Sequence, residues 1–233
     1  MDKFPIETTE KRTVKRITVR QSVEDFLDAF NVERGLVFTV KMLFRNPGML
    51  IRYYLSEGRF KVVNAFRLLI ISTALSLVMM NLTDSFELLF NVTGNTPEET
   101  DKMSELILYL FTDWYNLLVW ISIPVFALFS YRLFRRYEKF NYAEHLVIQS
   151  FIISAANIIV VAIVPIGFII THKIAFLISF VLGLLFFFYL FYSLYRKKTV
   201  WFFLRMILCF FLSYMAYTLV MSATFGALIY FNK

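Results

Sequence analysis

A single cysteine, Cys209, stands inside an apolar run, so the chain can close no internal disulfide and build no zinc site, which takes about four ligands. Histidine is nearly as scarce, at positions 145 and 172 only. There is no His-Glu-x-x-His run, no Gly-x-Ser-x-Gly elbow and no Walker loop, so the common hydrolase signatures are missing and no metal or cofactor motif is left. Glycine and proline are sparse too, seven and five among 233 residues, which makes the breaks between elements easy to place. Acidic residues are absent from the middle of every long apolar run. A proton-driven pump usually needs such an acid at membrane depth, and its absence weighs against one.

What remains is apolar. Hydrophobic residues make up 59% of the chain and aromatic residues 19%, with 28 phenylalanines, whereas a soluble domain is about 45–50% apolar. A membrane-spanning helix needs about 20 mostly apolar residues, and the sequence predicts spans at 64–82, 115–134, 142–170, 173–195 and 200–231. These runs are continuous, unlike the alternating ten-residue segments of a β-barrel. The expected fold is therefore all-α: a polytopic helical membrane protein of about five transmembrane helices, with amphipathic surface helices on both sides. Pro124 falls inside the second span, and Pro165-Ile166-Gly167 is expected to end or bend the third. Ser72, Ser76, Gln149, Ser154 and Asn157 are the polar residues within the spans expected to bond between helices.

Charge gives the orientation. The net charge is +7, but the basic residues gather at the ends of apolar runs rather than on one soluble face, which excludes a nucleic-acid partner. Residues 1–61 carry 12 Lys and Arg, the 131–142 turn carries four, and the 196–198 turn carries three; the alternate connections hold only Lys102 and Lys173. The segment at 83–113 has seven acids against that one lysine, and its Met103, Leu106, Ile107, Leu110 and Phe111 repeat at helical spacing. By the positive-inside rule the N-terminus is expected in the cytoplasm and the C-terminus outside. Residues 1–16 read as a disordered cytoplasmic tail without the apolar core of a signal peptide. His172 is expected to be solvated in a short outer turn.

Between tail and membrane domain, residues 17–61 form a cytoplasmic amphipathic segment. Ser22 and Asp25 suit a helix start, and Arg34, Lys41 and Arg45 share one stripe of a second helix. That helix is too short to span. It either lies flat on anionic lipid headgroups or packs beneath the membrane domain. Asn46-Pro47-Gly48 then reads as a cap, a first helical residue and a start for a further short helix. Asn81-Leu82-Thr83 and Asn91-Val92-Thr93 match glycosylation sequons, which carry weight only in a eukaryote.

The order of features from Lys15 to Lys61 resembles a family of Bacteroidota membrane proteins known as a domain of unknown function. The resemblance rests on Thr39, Leu43, Pro47-Gly48, Ile51, Tyr54 and Gly58-Arg59, and on a later Asn141, Tyr142, Glu144, His145 and Val147. Many members of that family carry an N-terminal zinc ribbon, which this chain lacks, and a proline soon after Gly-Arg, where this chain has Val62–Ala65. The resemblance implies a bacterial inner membrane and no particular activity.

Glu144-His145, at the inner start of the third span, is the one pair that suggests chemistry. Neighbours on a helix point about 100° apart, so the two do not form a joint ligand pair. Either one serves a proton or ion path, or Glu144 offsets Arg132, Arg135 or Lys139 and caps the helix start. Two functional readings follow. The first is a non-enzymatic subunit or helper of a membrane complex, or a carrier of lipid or other apolar molecules. The second is a membrane-embedded enzyme on lipid headgroups, with Glu144 and His145 at the interface. Arg34, Lys41, Arg45, Arg59, Arg132, Arg135 and Arg136 are the candidates for headgroup or partner contact in either case.

Overall fold

The computed structural model describes residues 35–56, 62–83 and 115–231. Arg34, Arg59, the tail, the 22–30 helix and the amphipathic helix expected within 83–113 lie outside the described residues. Among the described residues there are seven α-helices and no strand: α1 (Val37–Arg45), α2 (Pro47–Leu55), α3 (Ala65–Leu82), α4 (Tyr115–Phe134), α5 (Tyr142–Ile163), α6 (His172–Tyr195) and α7 (Val200–Phe231). Five of these, α3 to α7, are long and apolar enough to cross a membrane.

Asparagine side chains cap the starts of α2, α3 and α5. Asn46 accepts from the Met49 N–H at 3.3 Å with Pro47 at the first helical position, and Asn64 accepts from Phe66 at 2.9 Å. At α5, Asn141 and Glu144 form a reciprocal capping box. The third span does not run as one helix to residue 170. The α-helix stops at Ile163, and Val164–Phe168 continue as a 3₁₀ turn, because Pro165 has no N–H for the α-helical ladder.

α5 is the central helix, packed against α3, α4 and α6, with α7 against α4. Aromatic rings bind the bundle at the end where α4, α6 and α7 meet. Phe134 lies 4.7 Å from Phe191 and 5.2 Å from Tyr195, and Tyr137 meets Phe202 edge-on at 5.2 Å. Within a bilayer lipid tails are as apolar as leucine, so such packing, rather than escape from water, holds helices together. Polar bonds are few. Asn157 of α5 donates to the Thr73 hydroxyl of α3 at 2.9 Å, while Ser72 and Ser154, expected to bond across helices, donate to carbonyls of their own helices.

The α1–α2 pair packs against the membrane domain. Leu43, Leu50 and Ile51 are fully buried, and burying each such side chain is worth about 1.5–3 kcal/mol. Phe44 packs on Phe186 of α6 at 5.3 Å, and Tyr54 meets Phe151 of α5 edge-on at 5.4 Å. The buried Thr39 hydroxyl accepts from the Val63 N–H at 3.0 Å, joining α1 to the approach to α3. Of the two positions open for this segment, the packed one is observed for α1 and α2, and it leaves Lys41 and Arg45 outward-facing. His172 is likewise not free in a turn. It begins α6, half-buried, with the Phe168 ring edge-on at 5.0 Å.

Candidate functional site

Glu144 and His145 are neighbours in sequence with separate structural tasks. The Glu144 carboxylate accepts from the Asn141 N–H at 2.7 Å, and the Asn141 side chain accepts from the Glu144 N–H at 2.9 Å. That geometry is a helix cap, one of the two roles expected for the acid. His145 is fully buried, with Nδ1 3.0 Å from the Ser130 hydroxyl of α4 and its ring against Tyr131 and Phe140. Its Nε2 has no protein partner. The structure therefore does not bring the pair together as one catalytic unit.

The cations sort by position. Arg132, Arg135 and Arg136 are exposed where α4 turns toward α5. Arg52, which was not singled out from the sequence, bonds the Glu138 carboxylate and the Leu194 carbonyl, tying α2 to that turn and to the end of α6. Arg205 lies 5.2 Å from the Tyr137 ring centroid. Among the described residues no three His, Cys, Asp or Glu side chains gather as metal ligands.

A further candidate site lies inside the bundle. A cavity of about 330 Å³ opens between α4, α5 and α6, with Phe210 of α7 on its wall, a size within the range of small-ligand sites. Small residues make the space: Ala156 on α5 faces Ser179 and Gly183 on α6. Phe180, also on its wall, is 54% exposed on the outer face of the bundle, so the cavity opens sideways toward the hydrocarbon. Its polar lining is Ser122, Gln149 and Ser179. The two serines donate to carbonyls of their own helices, Val119 and Ala175. Gln149 is fully buried, and neither its amide nitrogen nor its amide oxygen has a partner.

Such an amide is costly to bury unpaired, and it lies at one end of the cavity. The sequence put Gln149 among the helix-bonding polar residues. Its lack of a partner is a property of packing between helices distant in sequence, and only the small residues at 156, 179 and 183 hinted at open space. A second hollow, about 360 Å³ between α3, α4 and α5, is lined by Phe66, Trp120, Pro124 and other apolar residues without a side-chain amide or acid. Compared with family models, curated proteins and solved structures, the chain has no match.

Proposed function

We propose that this integral membrane protein is non-enzymatic and works by holding an apolar molecule, as a lipid carrier or as the lipid-binding subunit of a membrane complex. The observation that carries the reading is the sideways-open cavity among α4, α5 and α6, apolar except for two serines bonded to their own helices and one unpaired amide. A headgroup enzyme is less well supported, because the Glu144 carboxylate is engaged in its cap and His145 is closed off from the interface. The reading includes a bacterial inner membrane, on the Bacteroidota resemblance of the Thr39–Arg59 and Asn141–Val147 motifs, with anionic headgroups against Lys41, Arg45, Arg132, Arg135 and Arg136. The N-terminus is cytoplasmic and the C-terminus periplasmic in this reading, following the basic clusters.

The test is reconstitution. Purified protein in vesicles should accelerate transfer of labelled lipid to acceptor vesicles, or hold lipid through mild-detergent purification, without altering headgroup mass. A headgroup changed in mass would replace this reading with the enzymatic one. Neither transfer nor retained lipid would remove it.

A further inference from the structure

Gln149 carries an unpaired donor and an unpaired acceptor, fully buried in the wall at one end of a largely apolar cavity. The occupant that answers this carries both an acceptor and a donor at the head of an apolar chain. An ester offers only acceptors. An amide offers both, so a trans amide linkage bonds the glutamine amide either through its N–H or through its C=O. We propose that the cavity binds the amide-linked acyl chain of a membrane lipid, with the linkage on Gln149; this rests on the lipid-holding reading above.

The dimensions agree. From Gln149 to Val160 the cavity follows eleven residues of α5, about 16 Å at 1.5 Å per residue, close to the roughly 15 Å hydrocarbon depth of one leaflet. Gln149 stands seven residues, about 10 Å, from the start of α5. A chain in the cavity would therefore run from about 10 Å to about 26 Å past the start of α5, from the α1–α2 side through the middle of the bilayer. Exposed Arg132, Arg135 and Arg136 stand at that surface, where a lipid phosphate would lie. Phe180 marks the open side through which a chain enters without crossing water.

The experiment uses the full chain in lipid nanodiscs and two photoreactive probes with the same diazirine acyl chain, one amide-linked and one ester-linked. The amide-linked probe should label residues 149–160 and 176–187, and it should compete better than the ester-linked one. Gln149→Leu, which keeps the volume and removes the unpaired amide, should weaken the amide-linked probe about tenfold, toward the ester level. Gly183→Leu should fill the cavity and block both probes. A Cβ at Gly183 meets only the Ala156 Cβ at 3.7 Å, so Gly183→Ala serves as a folded control. Melting curves in detergent confirm that the variants fold. Equal labelling by both probes, lost in Gly183→Leu but unchanged in Gln149→Leu, would overturn the amide assignment and leave the lipid-holding reading standing. Absence of cavity labelling by either probe would overturn both.

Discussion

The Gly48 backbone N–H donates to the Ser193 hydroxyl at 3.1 Å, and a Cβ on Gly48 would stand 2.3 Å from the Ser193 carbonyl oxygen. Only glycine lets α2 come this close to α6. Gly48→Ala must push the two backbones apart, a cost of about 1–3 kcal/mol or more by the usual scale of overpacking. Ser193→Ala removes that bond and the one the hydroxyl donates to the Asn46 side chain at 3.3 Å, and should cost about 1–2 kcal/mol. Thermal melting in detergent ranks the two, and equal losses would show that the close approach is not what holds the hairpin.

A second prediction concerns Arg52. Its side chain is 44% exposed and that of Glu138 is 26% exposed, so the ion pair alone is worth about 0–1 kcal/mol and weakens with salt. Arg52 also donates to the Leu194 carbonyl in the last turn of α6, where helix carbonyls lack intrahelical partners. Glu138→Gln should therefore cost little, with the loss fading at high salt. Arg52→Met should cost about 1 kcal/mol more and keep most of that loss in salt. Melting at low and high salt separates these outcomes, and identical behaviour of the variants would contradict the carbonyl role.

A third prediction divides the Glu-His pair. Glu144→Gln leaves an acceptor for the Asn141 N–H, since glutamine also serves in a capping box, and should cost about 1 kcal/mol or less. His145→Ala empties a fully buried site between Tyr131 and Phe140 and should cost about 2–5 kcal/mol. Lipid transfer should be near normal in Glu144→Gln, and in His145→Ala it should fall only as folded protein falls. Either variant folded at full abundance but unable to transfer lipid would return the pair to a functional role.

The long spans were legible because each is an apolar run of bilayer length, and the start of α2 because Asn46 carries a side chain that caps orphan N–H groups; the caps at Asn64 and Asn141 emerge only in the structure. The placement of α1 and α2 was not. Amphipathy is the same whether the apolar face meets lipid or another helix, and the contact that decides it, Gly48 on Ser193, joins residues 145 positions apart. Thr39, Leu43, Pro47, Gly48, Ile51 and Tyr54 are all buried, which amphipathy alone does not announce. Glu144 as a cap could be read from its place at the start of the third span. Gln149 could not be singled out, since a missing partner leaves no mark in the sequence.

The last prediction fixes the orientation on which the leaflet assignment depends. Residues 1–61, the 131–142 turn and the 196–198 turn together hold 19 of the 24 Lys and Arg residues, and five spans put all three segments on one side. Clusters near helix ends resist translocation, so that side is expected to be cytoplasmic, and α1–α2 lies on it. Alkaline phosphatase, which is active only outside the cytoplasm, should be active when fused after residue 233 and silent when fused at Lys139. A cytoplasm-active reporter at the same two positions should give the opposite pattern. Activity at Lys139 with silence after residue 233 would turn the molecule over, placing α1–α2 and the Gln149 end of the cavity on the outer leaflet. Activity at both positions would mean that one of α5, α6 and α7 does not cross the membrane.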